Sequence, residues 1–214
     1  MNKKLLVFDL DGTLINSKND IIRSFNQSFK KNQCKSIDQK YFIKNANRGS
    51  KFFIKKNLKK NELNKLKKIN IDFQNYYREN CTKTTKARFG VKFFLKWSSK
   101  KFINVISTNK PKYLSKKIIQ TLGLSNYIDN VFGVNTLKFN KPNPKHLKKI
   151  LDIYKINEKQ CVFFGDSEVD WIMSKKLGVD FFLISKGYLS KKIKINKNNK
   201  IKNFFEAKKK LLFK

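Results

Sequence analysis

Two short segments gather carboxylates in a chain that has few of them. VFDLDGTL (7–14) carries Asp9 and Asp11 at the end of an apolar run, and GDSEVD (165–170) carries Asp166, Glu168 and Asp170. Among 214 residues, 50 basic side chains face only 15 acidic ones, so a third of the scarce charge sits in these two stretches. Gly12 permits a tight turn after the first pair. Residues i and i+2 of a strand share a face, and at a strand's C-terminal end both carboxylates can project into the crevice where open parallel sheets bind ligands. Asp166 and Asp170 lie about one helical turn apart and can face one site. Asp9, Asp11, Asp166 and Asp170 together would repel one another strongly without a cation. Mg2+ prefers a few carboxylates completed by water and phosphate oxygens, so the cluster suits metal-assisted chemistry on a bound anion. An acidic turn would account for Asp-Gly alone, and the helix dipole for Ser167 and Glu168, but neither explains the match between the two segments.

Two further segments could complete such a site. VISTNK (105–110) ends an apolar run in Ser107, Thr108 and Asn109. A hydroxyl, an amide and exposed backbone N–H groups can hold phosphoryl oxygens, although the same residue types are common helix caps. In NKPNP (140–144), prolines fix the backbone around Lys141, which otherwise reads as one more solvated lysine.

These residues need strand ends to position them. Apolar runs bounded by turn residues predict strands at 5–9, 102–107, 161–166 and 181–185, with a weaker candidate at 130–134. Helical patterns lie between them, from Pro111 to about Gly123, from Pro144 to about Tyr154, and from Ser167 to Leu177 with Gly178 as the stop. The alternation predicts an α/β fold, a doubly wound and mostly parallel Rossmann-like sheet. Residues 17–84 differ. Ile21, Ile22, Phe25 and Phe29 recur at helical spacing, SIDQ (36–39) has the form of a capping box, and another helical pattern runs from about Asn61 to Tyr77. We expect a core of residues 1–16 and 85–214, with a small α-helical cap (17–84) inserted after the first strand, and a lysine-rich C-terminal tail.

Composition narrows the function classes. The opening apolar run is broken by Asp9 after four residues, too short for a signal-peptide core, and no uncharged stretch approaches membrane-spanning length. Cys34, Cys81 and Cys161 are odd in number and lack metal-ligand spacing, as expected for reduced thiols of a cytoplasmic protein. The single His146 excludes any mechanism that needs two histidines. The formal charge of +35 comes from 46 Lys and only 4 Arg. A surface built to read nucleic acid would use more Arg. Lysine excess alongside abundant Asn, Ile and Phe fits compositional drift over a solvated surface, with non-specific nucleic-acid attraction as the alternative.

In order, DxDGT, the strand-ending Thr-Asn, Lys-Pro-x-Pro and GDSxxD resemble the four motifs of the haloacid dehalogenase-like superfamily, and most closely its phosphoglycolate phosphatase-type branch. The likeness spans nearly the whole chain, the helical insertion included. It implies a phosphatase acting on a small phosphorylated metabolite, with sugar-phosphate or nucleotide phosphatase and phosphomutase as alternatives within the superfamily. A basic nucleic-acid-associated protein on the same scaffold is the alternative of another class. By the resemblance, Asp9 would be the nucleophile and Asp11 the general acid/base. Mg2+ would be held by Asp9, the Asp11 carbonyl and Asp166, with Asp170 in support. Thr108 and Asn109 would hold the phosphoryl group, and Lys141 would balance its charge. Arg48, in ANRGS (46–50), would read a second anionic group of the substrate. Asn16 and Phe89 depart from the branch's usual Asp and Pro without removing a catalytic part.

Overall fold

Leu5, Leu6, Val7 and Phe8 are fully buried, as a strand covered on both faces requires. The computed structural model describes residues 3–37, 49–134, 136–185, 187 and 195–212. Its strands are β1 (Leu5–Phe8), β2 (Ile15–Asn16), β3 (Lys86–Ala87), β4 (Ile103–Pro111), β5 (Asn130–Val134), β6 (Cys161–Gly165), β7 (Asp180–Ile184) and β8 (Lys200–Ile201). Its helices of at least eight residues are α1 (Lys18–Lys31), α2 (Ser50–Asn57), α3 (Leu66–Asn80), α4 (Val91–Ser98), α5 (Lys112–Thr121), α6 (Pro144–Ile153), α7 (Glu168–Leu177) and α8 (Phe204–Leu212). None of the described helices is long and apolar enough to cross a membrane.

Six strands form one sheet in the order β5-β4-β1-β6-β7-β8, with every pairing parallel. Period-2 alternation divides its side chains between two layers. Leu5 and Val7 join Val105, Phe163 and Leu183 in a core closed by Leu147 and Ile150 of α6 and Met173 of α7. On the other face, Phe8, Phe164 and Phe182 form a ladder of stacked rings across β1, β6 and β7, with centroids 5.1 and 5.4 Å apart. Phe94 of α4 and Phe204 of α8 pack against Phe8 and Phe164. Such aromatic contacts add about 0.5–1.5 kcal/mol each beyond the area they bury.

The C-terminal stretch is more than a lysine-rich tail. Phe204, Ala207 and Leu211 recur at helical spacing and are buried, which makes α8 a part of the aromatic layer. Cys34, Cys81 and Cys161 are buried and lie outside any disulfide.

The chain divides into two compact units, Met1–Asn16 with Ala87–Lys214, and Ser17–Lys86. The second contains α1, α2 and α3 among its described residues. The rings of Phe25, Phe73 and Tyr77 stack within it, with the Phe53 ring tilted against Phe25. In α1 the buried face holds Asp20, Ser24, Phe25, Ser28 and Phe29, while Ile21 and Ile22 are only half-buried. The helical pattern expected from Asn61 begins as a 3-10 turn over Lys60–Lys65 and becomes α-helical at Leu66. Asp38 and Gln39 of the expected capping box lie outside the described residues.

Asp20 explains why the second unit continues past residue 84. Fully buried, its carboxylate accepts bonds from the backbone N–H and hydroxyl groups of both Thr84 and Thr85, at 2.6–3.0 Å. Burial opposes its charge, but these donors more than offset that and hold its carboxyl below the usual range. Asp20→Ala is expected to destabilise the protein by about 2–3 kcal/mol at pH 7, read by urea unfolding. Because the native carboxyl is the stronger acid, its contribution is present above the unfolded value of about 3.9 and disappears as pH falls through the native one. Coincident unfolding curves for variant and wild type at pH 7 would overturn this account.

Candidate active site

Three adjacent strands deliver the candidate residues at one end of the sheet. β1 is flanked by β4 and β6 in a register that sets Phe8 beside Ile106 and Phe164. The following residues are Asp9, Ser107 and Gly165, then Thr108 and Asp166 on the flanking strands. The strand order departs from β1 in both directions, so these ends form the switch point at which ligands of open α/β sheets bind.

Each segment reaches the site by a specific backbone device. Gly12, at φ +87, turns the chain back so that Leu14 and Ile15 N–H donate to the Leu10 carbonyl. The turn brings the Thr13 hydroxyl to Asp166, where it donates to Oδ1 at 3.0 Å. On β4 the register with β5 shifts, with Ser107 opposite Phe132 and Pro111 opposite Val134, so Thr108–Lys110 bulge off the ladder. A Cβ on Gly133 would sit 2.6 Å from the Lys110 carbonyl, and only glycine admits this approach. Gly165 plays the same part for α7, since a Cβ there would lie 2.6 Å from Asp170 Cβ.

Lys141 is the hub. Its Nζ lies 2.6 Å from Asp9 Oδ1 and 2.7 Å from Asp170 Oδ1, with its side chain only 2 % exposed. Asp170 is held on its other oxygen, Oδ2, by the Ser167 hydroxyl at 2.6 Å and the Ser167 N–H at 3.3 Å. Asp9, Asp166 and Asp170 are buried and offer oxygens within 4.8 Å of one another. Burial pushes the Asp9 carboxyl well above the usual carboxylate range; Lys141 works against that rise, and the charges of Asp170 and Asp166 add to it. For Lys141, burial opposes the charged form, but Asp170 and Asp9 outweigh it and hold the ammonium well above the usual lysine range. The donor set is hard oxygen crowded by like charge, which a hard divalent cation would relieve. The residues fit such an ion.

Two more contacts tie the remaining candidates together. Lys110 Nζ stands 3.1 Å from Asp11 Oδ1, and its backbone N–H donates to Thr108 Oγ1 at 3.1 Å. The Asn109 side-chain amide donates to the Lys141 carbonyl at 3.1 Å. Its side chain therefore joins the β4 bulge to the lysine loop. Arg48 lies outside the described residues.

Residues 6–184 match the family model for haloacid dehalogenase-like hydrolase. The chain belongs to this family. It is 30 % identical to a phosphoglycolate phosphatase of Aquifex aeolicus, over 87 % of this chain and 86 % of that one. A phosphoglycolate phosphatase of Mesorhizobium japonicum is 25 % identical over 97 % of this chain and 93 % of its own length. The fold is similar to the crystal structure of a predicted phosphoglycolate phosphatase from Haemophilus somnus 129PT, with TM-score 0.87, 24 % identity and 98 % of each chain covered.

In this haloacid dehalogenase-like chain the two departures from the branch pattern leave the site intact. Asn16 is exposed on β2, and Phe89 is 75 % exposed with its ring against Phe205. Sequence reasoning missed Thr13, Lys110, His146 and Gly187, and named Ser107 only as a candidate phosphoryl contact, not as the partner of His146. Thr13 stood inside the quoted DGT, whereas Lys110 was one lysine among 46. Gly187 follows β7 at a spot where any Cβ would collide with the Asp166 side chain, and nothing local in the sequence marks it.

Replacing Lys141 by Met should leave buried carboxylate charge unbalanced, a loss of about 3–5 kcal/mol at pH 7. Asp9, its carboxyl already raised, binds a proton in the native state more readily than in the unfolded chain, and more so without Lys141. The variant's deficit should therefore shrink between pH 7 and pH 5. Urea unfolding of both proteins at the two pH values measures it, and a constant deficit would contradict the charge assignment.

Proposed function

We propose that this chain is a Mg2+-dependent phosphatase that hydrolyses a small phosphomonoester through an aspartyl-phosphate on Asp9, with phosphoglycolate as the leading substrate. The observation that carries this reading is Lys141 bridging Asp9 and Asp170 beside Asp166, at the end of the sheet where Thr108 and Asp11 also lie. The names of the Aquifex aeolicus and Mesorhizobium japonicum relatives support the substrate class.

The roles are those the family likeness implies, and the chemistry of these residues suits them. Asp9 must be ionised to attack phosphorus, whereas burial favours its protonated form. Lys141 supplies one compensating charge. Asp9, Asp166 and the Asp11 main-chain carbonyl would hold Mg2+, with Asp170 orienting Lys141 and Ser167 around it. The ion would add positive charge where an anionic nucleophile meets an anionic phosphate. In the first step an Asp9 oxygen bonds to phosphorus and the ester P–O bond breaks, while Asp11 gives a proton to the departing oxygen. In the second, Asp11 takes a proton from water, water oxygen bonds to phosphorus, and the Asp9–phosphorus bond breaks. Lys110, 3.1 Å from Asp11 Oδ1, would pair with the Asp11 carboxylate once it has given up its proton. Thr108 and the Asn109 backbone amide would cradle the phosphoryl oxygens. The unit formed by 17–86 would act as the cap, with Arg48 reading a second anionic group. The absence of long apolar helices among the described residues and three cysteines outside disulfides suit a cytoplasmic enzyme.

Phosphate release should be measured over phosphoglycolate, hexose and triose phosphates, and nucleotides, with and without Mg2+. The expected outcome is Mg2+-dependent release highest for phosphoglycolate, falling to below about a thousandth in Asp9→Asn. A ranking led by another ester would move the substrate class while keeping the mechanism. No release from any member by folded protein with Mg2+, together with steeply salt-dependent nucleic-acid binding unaltered in Asp9→Asn, would sink the phosphatase reading.

A further inference from the structure

The one histidine of the chain is buried and has no part in the chemistry above. His146 lies on α6, 1 % exposed. Its Nδ1 is 2.7 Å from the Phe139 carbonyl oxygen, and its Nε2 is 3.0 Å from Ser107 Oγ. A carbonyl only accepts, so Nδ1 carries the proton and donates to Phe139. In the neutral ring Nε2 is then the acceptor, and the Ser107 hydroxyl donates to it. Burial disfavours the charged ring, and the Lys141 charge acts in the same direction against the Phe139 carbonyl. The imidazole is thus a neutral, two-ended linker of defined tautomer.

What it links is informative. Ser107 is the last residue of β4 paired with β5 before the bulge and directly precedes Thr108. Phe139 stands two residues before Lys141. Asn109 ties the same pair of segments at a second point, through its bond to the Lys141 carbonyl. Ser107 is itself fully buried, so the imidazole joins two segments through one buried bond and one part-buried bond, in surroundings that strengthen such contacts. A packing role alone would be met by apolar side chains of the same volume, without placing three polar groups in the core.

We propose that His146 is a positioning residue, bracing Ser107 against Phe139 so that Thr108 and Lys141 are held at the separation a phosphoryl group requires. This rests on the phosphatase reading for its kinetic consequence. Its geometry is testable without activity.

Because the chain has a single histidine, 15N-detected long-range correlation of the imidazole reports its tautomer without assignment. The expected spectrum is that of a neutral ring protonated on Nδ1, with the Nε2 signal moving in Ser107→Ala. A ring protonated on Nε2 would overturn the brace. Kinetics should then compare His146→Leu, which removes both bonds, with His146→Asn, whose amide can still donate to Phe139. His146→Leu should fold and lose about 10–100-fold in kcat, with KM changed less, because a displaced Lys141 weakens the transition state more than the ground state. His146→Asn should recover part of the loss. Ser107→Val/His146→Leu, an apolar pair, should restore thermal stability and leave kcat low. Activity of that double variant within two-fold of wild type would make the pair mere packing and overturn the proposal. Should the wild type release no phosphate at all, the earlier reading fails, and the brace is judged by inorganic phosphate titrated into wild type and His146→Leu. Weaker binding by the variant would support it, and equal binding would overturn it.

Discussion

A lysine ammonium buried between two aspartates is the constraint around which this protein is built. Burial opposes the Lys141 charge and Asp9 and Asp170 support it, while Lys141 in turn offsets the cost of burying the two aspartates. Taking three such groups out of water costs several kcal/mol each, and an arrangement of this kind is favourable only with tight geometry and further hydrogen bonds. That demand propagates outward. Asp170 needs Ser167 on its second oxygen, Asp166 takes the Thr13 hydroxyl, and the loop bearing Lys141 is tied to β4 through Asn109.

The parallel sheet meets this demand because its hydrogen-bonded registers run up to the strand ends. Registers between β1 and its neighbours fix Asp9, Thr108 and Asp166 relative to one another through hydrogen bonds already required by the sheet. Only the last few residues depart from regularity, and they do so where glycine leaves room. Gly133 admits the bulge of β4, and Gly165 admits the first turn of α7. Close approach is thereby written into positions with no side chain, while the charged groups occupy the space it creates.

Much of this was legible in the sequence for physical reasons. Strands buried on both faces read as unbroken apolar runs, so β1, β4, β6 and β7 stood out. Asp9, Asp11, Asp166 and Asp170 were conspicuous because acid is scarce in a lysine-rich chain. The same composition hid the rest of the site: Lys110 looks like any other lysine, and Lys141 was marked only by its prolines. α8 was obscured because lysines crowd between Phe204, Ala207 and Leu211. In α1 the apolar pattern pointed to Ile21 and Ile22, whereas Asp20 is the more deeply buried residue. A buried carboxylate is predictable only from its donors, and Thr84 and Thr85 lie some 64 residues away in the chain. His146 was hidden for a like reason, since Ser107 and Phe139 meet it only once the chain is folded.

The bond set around Asp20 has an evolutionary consequence. It staples the first turn of the inserted segment to its last residues, so the segment leaves and rejoins the host at one knot. A segment closed in this manner is a cassette. Its interior can lengthen, shorten or be exchanged for another without altering the spacing that β1 and β4 require. On the function proposed above, residues within 21–83 could then change with what the molecule recognises, while the bonds that close the segment at Asp20 stay in place.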